Sequence, residues 1–185
     1  MAWIQVIDEY KARGALREIY DDLIKRRGKV ANIMKVQSLN PLSIKTHLEL
    51  YLHLLFSPNS LSRQEREMIA VAVSAANGCQ YCIRHHTEAL GHYEKDDRVL
   101  QVLGTDYSSV QISARERTML NYVVKLTQVP AEMSESDVQS LRSNGFKDEQ
   151  ILNIALIAAY FNFVNRVALS LGVEFTPEEA TGYTT

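Results

Sequence analysis

Apolar residues recur every three or four positions along most of the chain, which is the period of an amphipathic α-helix. The segments between them contain proline, glycine and asparagine, which end helices and form turns. The pattern therefore predicts an all-α protein. The predicted helices run over Ala12–Arg27, from Pro41 to a stop before Pro58, from Ser62 through Ala76, and over Cys79–His92, Ala114–Thr127, Glu135–Ser143 and Glu149–Leu171.

Two of these helices begin with nearly the same sequence. Ser62 and Glu65 form a capping box, in which each side chain bonds the backbone amide of the other residue. Residues 112–120 closely repeat residues 61–69, with Ser113 and Glu116 in the equivalent places. Two interpretations stay open: similar helix starts that arose separately, or an internal duplication that left cysteines only in the first half.

The length of 185 residues predicts a single domain that buries a core without disulfide or metal support. Within it we distinguish N-terminal helices in residues 1–60, a helical core in 61–92 and a second half in 112–172. The tail, residues 173–185, is expected to be loosely ordered or dependent on a partner.

Composition narrows the class of protein. The chain is 46% hydrophobic and 23% charged with a net charge of -2, an ordinary mixture for a soluble globular protein. No basic patch is evident, which argues against nucleic acid as a partner. The N-terminus lacks the features of a signal peptide, and the apolar stretch from Ile154 to Val164 is too short to cross a bilayer. We therefore expect a cytoplasmic protein that does not bind membranes.

The two cysteines carry the candidate chemistry. Cys79, Cys82 and His86 fall on one stripe of a helix, where two thiols and an imidazole can perform redox chemistry or hold a metal. Cys79 follows Asn77-Gly78 at a predicted helix start, where amide dipoles favour a thiolate. His86 lies one turn after Cys82 and can exchange a proton with it. His85 points elsewhere, about 100° round the helix.

Two further residues are candidates for the same site. If the helices on either side of Asn77-Gly78 fold back on each other, Glu67 comes level with His86 and can orient it. The alternative is a first-turn glutamate that the helix dipole favours. Tyr81 either donates its hydroxyl to the site or only packs. Arg63 and Arg66 are assigned to a solvated face.

The cysteines have three other conceivable uses. Zinc would need a fourth ligand beyond Cys79, Cys82 and His86, such as His92, and the chain has no second Cys-x-x-Cys at zinc-finger spacing. Covalent haem is excluded because Ile83 stands where the attachment motif needs histidine. Inert buried cysteines with a surface histidine form the remaining alternative.

The spacing of these residues resembles a known family. Glu67, Cys79-Gln80-Tyr81-Cys82 and His86 are similar to the signature of AhpD-like alkylhydroperoxidases, in the carboxymuconolactone decarboxylase superfamily. The segment 160–168 resembles the closing helix of its "peroxidase-related" branch, as does Gly28-Lys29-Val30-Ala31-Asn32 before Pro41. Together these matches span most of the chain.

The resemblance implies an all-α, AhpD-like fold that forms homo-oligomers, as dimers, trimers or hexamers, without metal or haem. It implies reduction of a small hydroperoxide, with Cys82 as the peroxidatic cysteine and Cys79 as its resolving partner. Glu67 and His86 would form a proton relay, and Tyr81 would line the site. The reductant would be an external dithiol on a partner, such as a lipoyl-bearing protein.

One assignment is in conflict. Helix-end electrostatics favour Cys79 as the low-pKa thiol, whereas the resemblance favours Cys82 as the peroxidatic cysteine. We adopt Cys82 because His86 acts directly on its neighbour.

Two other function classes stay open. One is a non-redox decarboxylase of the same superfamily. The other is a redox-responsive or structural oligomer without turnover.

Overall fold

A computed structural model describes residues 2–176 and Glu179, and in this part of the chain the regular structure is helical, with no strand. The all-α prediction is confirmed. The α-helices are α1 (Gly14–Arg27), α2 (Asn32–Lys35), α3 (Pro41–Phe56), α4 (Arg63–Ala76), α5 (Gln80–Leu90), α6 (Asp97–Leu103), α7 (Ala114–Gln128), α8 (Glu135–Ser143) and α9 (Asp148–Ser170).

The seven predicted helices are present, with ends shifted by no more than a few residues. The sequence pattern missed α2 and α6 because helices of four and seven residues are too short to display an apolar period. Cys79 is the residue that precedes α5 rather than its first helical residue, and the helix ends at Leu90, before His92.

The central helix of the fold is α4, which packs against α5, α7 and α9. Every residue from Arg66 to Ser74 is buried, so the helix is surrounded over more than two turns. An ordinary surface helix buries only one stripe. Its charged residues in this run therefore have to find partners inside the protein.

Arg66 shows how the fold meets this requirement. The predicted solvated face is wrong for this residue, which is 7% exposed. Its guanidinium donates to the carbonyl oxygens of Leu55, Ser57 and Leu61. These carbonyls lie around the turn between α3 and α4, so the buried cation fixes how one helix leads into the next.

A tight turn places α5 against α4. Gly78 has φ of +69°, a left-handed backbone conformation that glycine adopts without strain. The amide of Cys79 then donates to the carbonyl of Ser74 at 2.9 Å. The chain reverses direction here, so the first turn of α4 and the middle of α5 lie side by side.

The long helix α9 is part of the core. It has 23 residues and is long and apolar enough to cross a membrane by length and composition, contrary to the expectation from the stretch 154–164. Half of its most apolar window is buried inside the protein, where α9 packs against α3, α4 and α7. Leu152, Leu156 and Phe163 are exposed on its outer face.

Both predicted capping boxes are formed, at Ser62 with Glu65 and at Ser113 with Glu116, with the same backbone angles at the two serines. The duplication itself, and the division of the chain at 1–60, 61–92 and 112–172, stay predictions. Of the predicted tail, residues 177–178 and 180–185 lie outside the described residues. Glu179, which is described, is buried.

Candidate active site

A cavity of about 380 Å3 lies beside the α4–α5 hairpin. Cys82 and His86 contribute to its wall, and so do Tyr81 and Arg63. Cys79 is not among the described residues that line it. A shallower depression of about 730 Å3, within residues 94–116, is lined by acidic and serine side chains and holds none of the candidate residues. The chemistry predicted from the sequence therefore belongs to the smaller cavity.

Glu67 lies at the back of this site, on α4, and is fully buried. Its Oε2 is 2.6 Å from His86 Nδ1, while Arg63 donates to its Oε1 from Nε at 2.9 Å and from Nη2 at 2.6 Å. Burial would raise the pKa of Glu67, but the interactions with His86 and then Arg63 outweigh burial and hold this pKa below its ordinary value. The carboxylate is therefore ionised inside the core.

An ionised Glu67 determines which ring nitrogen of His86 carries the proton. A carboxylate only accepts hydrogen bonds, so His86 must present Nδ1–H to it. In the neutral ring, the lone pair is then on Nε2, which has no hydrogen-bond partner among the described residues. The ring edge packs on Phe161, with centroids 4.6 Å apart. His86 is thus held with a basic nitrogen available in the cavity that Cys82 also lines.

The two thiols are both free and buried, with no disulfide between them. A hydrogen bond from Cys82 lowers the pKa of Cys79 to about 7, against a smaller opposing effect of burial. The same hydrogen bond, together with burial, raises the pKa of Cys82 well above its ordinary value. Asn165 and then Ser74 lower the pKa of Cys82, but these effects do not outweigh the first two. The resting pair therefore holds its negative charge on Cys79, while Cys82 faces the cavity.

Tyr81 and His85 are directed towards the tail rather than towards Glu67. The Tyr81 hydroxyl donates to Glu179 Oε2 at 2.6 Å, and His85 Nε2 lies 3.1 Å from the same oxygen. The amide of Asn32 donates to this carboxylate at 3.2 Å. Phe175 packs edge-on against His85. Tyr81 thus lines the cavity and anchors the tail at its edge.

Several residues of the site were not found by sequence reasoning. The predicted solvated face is also wrong for Arg63. Its side chain is only 16% exposed and forms an ion pair with Glu67. The four-residue spacing between them is the signal that was overlooked. Glu179 and a buried pair, His47 and Tyr160, gave no local signal, because their partners are distant in sequence.

Metal binding gains no geometric support from the described residues. No group of three or more His, Cys, Asp or Glu side chains in residues 2–176 and 179 is arranged to hold a metal ion. In particular, His86 Nδ1 is engaged by Glu67 instead of approaching the thiols.

Comparisons with known proteins concern the family and the fold. Residues 44–108 match the carboxymuconolactone decarboxylase family. An uncharacterized peroxidase-related protein from Silicibacter sp. TM1040 is 33% identical, with 89% of this chain and 86% of that chain covered and a TM-score of 0.81. An uncharacterized peroxidase-related protein from Ralstonia eutropha JMP134, described as an alkylhydroperoxidase AhpD core, is 30% identical over 97% of this chain and 94% of that chain, with a TM-score of 0.86.

The fold is also found in a protein with another described activity. The debrominase Bmp8, solved in complex with 2,3,4-tribromopyrrole, is 17% identical, with 95% of this chain and 92% of that chain covered and a TM-score of 0.78. At this identity the likeness concerns the fold alone.

The charge distribution in the thiol pair predicts a pH profile. Because the pKa of Cys79 is lowered to about 7, the first thiolate of the reduced protein should form with a midpoint near that value as the pH rises. Cys82→Ala removes the hydrogen-bond donor and should move the midpoint up towards about 8.5. The ultraviolet absorbance of the thiolate across a pH series measures both midpoints without a reagent that has to reach the buried sulfur.

Cys82→Ser is the matched control, since its hydroxyl still donates to Cys79 and should keep the midpoint nearer the wild-type value. An unchanged midpoint in Cys82→Ala would show that the hydrogen bond between the thiols does not set the pKa of Cys79.

Proposed function

The chain belongs to the AhpD-like, peroxidase-related proteins of the carboxymuconolactone decarboxylase family, and on this premise we propose that it is a thiol-dependent peroxidase that reduces hydroperoxides. One observation carries the proposal. Cys82 and His86 line the same cavity, and His86 is held by the buried carboxylate of Glu67. A nucleophile, a base and a group that orients the base are the parts that covalent catalysis requires.

The proposed reaction begins at Cys82. His86 takes the proton of the Cys82 thiol at Nε2, and the sulfur attacks the terminal oxygen of the hydroperoxide. The sulfur–oxygen bond forms as the oxygen–oxygen bond breaks, which leaves Cys82 as sulfenic acid. The released alkoxide takes the proton from His86 and leaves as the alcohol. The thiol is oxidised by two electrons and the peroxide is reduced by the same two.

Cys79 completes the proposed oxidative half of the cycle. Its sulfur attacks the sulfenic acid on Cys82, a disulfide forms and water leaves. The lowered pKa of Cys79 supports this role, because the resolving sulfur has to act as a thiolate. The free thiols of the structure then correspond to the reduced enzyme.

The assignment of the peroxidatic role rests on access to the cavity. Cys82 borders it, whereas Cys79 is buried behind it at the turn before α5. The lower pKa of Cys79 favours the reverse assignment. We give access more weight, because a thiolate that cannot touch the peroxide cannot react with it.

An external dithiol is proposed to reduce the disulfide by thiol–disulfide exchange, which returns two thiols and releases the reductant as its own disulfide. The resemblance favours a lipoyl-bearing protein as its carrier. Tyr81 is proposed to line the site for the substrate, and the cytoplasmic location stays a prediction from the sequence.

We also propose that the protein works as a homo-oligomer. Leu152, Leu156 and Phe163 form an exposed apolar surface on α9, of the kind that subunit contacts cover. Light scattering should give a mass that is a multiple of that of one chain, and Leu156→Glu should lower it while circular dichroism stays helical. A monomeric wild-type protein would contradict the proposal.

The peroxidase proposal is tested by one reaction on the reduced protein. One equivalent of tert-butyl hydroperoxide should remove both free thiols and leave a Cys79–Cys82 disulfide, located by mass spectrometry. Cys79→Ser should consume one peroxide and stop as a sulfenic acid on Cys82, since no thiol resolves it. Cys82→Ser should leave the peroxide unreduced.

A Cys82→Ser protein that still consumed one equivalent of peroxide in a burst would reverse the two roles. Thiols that survive in the wild-type protein would exclude the peroxidase and favour a structural oligomer. Activity of a decarboxylase kind that persists in both cysteine variants would favour the non-redox alternative.

The proposed relay of Glu67 and His86 predicts that a change in either residue slows thiol oxidation. Glu67→Gln removes the charge that holds His86 as the Nδ1–H form, and His86→Ala removes the base, so each should slow thiol oxidation by about 100-fold. Stopped-flow measurement of peroxide consumption gives the rate, and thermal unfolding checks that each variant folds. Glu65→Gln, on the same helix but outside the cavity, is the control and should react at the wild-type rate.

Full reactivity in folded Glu67→Gln and His86→Ala variants would remove the relay from the mechanism while leaving the thiol chemistry in place.

A further inference from the structure

A chain of three polar side chains lies in the wall of the cavity, apart from the thiols and the relay. Gln37 Nε2 donates to the carbonyl oxygen of Ile33 at 2.8 Å. A carbonyl can only accept, so this contact fixes which end of the Gln37 amide is the nitrogen. The same nitrogen lies 2.8 Å from His47 Nδ1, which must therefore be the acceptor.

The proton of His47 is located by this contact. His47 is 4% exposed, and burial lowers its pKa to about 4, so the ring is neutral near pH 7. A neutral ring with an accepting Nδ1 carries its proton on Nε2. Nε2 is 2.8 Å from the oxygen of Tyr160, to which it donates.

Tyr160 then has a proton with no acceptor in the part of the chain that the structure describes. Its hydroxyl oxygen already accepts from His47, and among residues 2–176 and 179 no group accepts the hydrogen bond that it can donate. The side chain is only 5% exposed. A buried donor left without a partner is rare and asks for an explanation.

The location of Tyr160 supplies that explanation. Tyr160 and His47 line the same cavity as Cys82 and His86. Burial raises the pKa of Tyr160 well above its ordinary value, and the nearby charges of Tyr51 and then Cys82 raise it further. The phenol therefore stays protonated in the wall of the cavity that Cys82 also lines, as a donor that the bound molecule can satisfy.

We propose that Tyr160 donates a hydrogen bond to the leaving oxygen of the hydroperoxide while Cys82 attacks the terminal oxygen, with Gln37 and His47 as positioning residues. This inference rests on the proposed peroxidase function. As the oxygen–oxygen bond breaks, negative charge grows on the oxygen that keeps the organic group. The Tyr160 hydrogen bond stabilises this charge, and the proton that finally reaches the oxygen is the one His86 took from Cys82.

Tyr51 is the tyrosine of this wall that stacks on Tyr160, with ring centroids 6.1 Å apart. Its hydroxyl receives no hydrogen bond from a described residue, and its side chain is partly exposed. Of these two, Tyr160 is the one that receives a hydrogen bond from a described residue and is buried. Tyr81, which is also buried in this wall, already donates its proton to Glu179. The fixed position is what an electrostatic contribution to the transition state requires.

The test compares two oxidants that differ in their leaving group. The alkoxide released by tert-butyl hydroperoxide is strongly basic, whereas the acetate released by peracetic acid needs little stabilisation. Tyr160→Phe should slow oxidation of Cys82 by the alkyl hydroperoxide by about 100-fold and should slow oxidation by peracetic acid far less. Stopped-flow rates on the reduced, intact protein give both values.

Tyr51→Phe is the matched control, and it should show a smaller loss that is similar for the two oxidants. His47→Phe, which removes the donor to Tyr160, should reproduce the substrate-dependent loss in weaker form. Equal losses with both oxidants in Tyr160→Phe would reduce Tyr160 to a packing residue and overturn the inference, with the peroxidase intact. A wild-type protein that neither oxidant oxidises would instead overturn the proposed function.

Discussion

The arrangement of the site depends on one buried charge, the carboxylate of Glu67. A carboxylate in the core is tolerated only when paired and hydrogen-bonded. Here Arg63 holds one oxygen and His86 the other. Arg63 comes from the same helix, one turn earlier, whereas His86 comes from the neighbouring helix. The charge therefore ties α5 to α4 at the level of the cavity, and it fixes the tautomer of His86 at the same time.

The thiols are placed by the other end of the same hairpin. The glycine turn at Gly78 brings Cys79 to the start of α5, and the next turn of that helix presents Cys82 to the cavity. The two sulfurs share one hydrogen bond, which separates their pKa values and gives them different protonation states. One hairpin thus supplies both thiols and the histidine that we propose as nucleophile, resolving thiol and base, and the surrounding helices supply the walls. Tyr160 on α9 faces this hairpin across the cavity, with its oxygen held by His47 from α3.

Much of this could be predicted from the sequence, because the relevant signals are local. Helical periods predicted the long helices, Asn77-Gly78 predicted the turn, and spacing predicted the shared stripe of Cys82 and His86, whereas Cys79 precedes the helix and does not line the cavity. The prediction that Arg66 and Arg63 are solvated is wrong. Whether a helix is surrounded on all sides depends on packing that a single sequence does not show. His47 and Tyr160 are 113 residues apart, and only the folded chain brings them together. The same holds for Glu179 and Tyr81, which are hydrogen-bonded although they are 98 residues apart in the sequence.

The most direct test of this account is the protonation of the His86 ring, observed by ¹⁵N NMR on protein labelled at its histidines and assigned with His86→Ala. In the neutral ring, the account predicts a proton on Nδ1, bonded to Glu67, and a bare Nε2 facing the cavity. In Glu67→Gln this preference should weaken or vanish. A neutral ring with its proton on Nε2 in the wild-type protein would contradict the account, because Nε2 would then be unable to take the proton of Cys82.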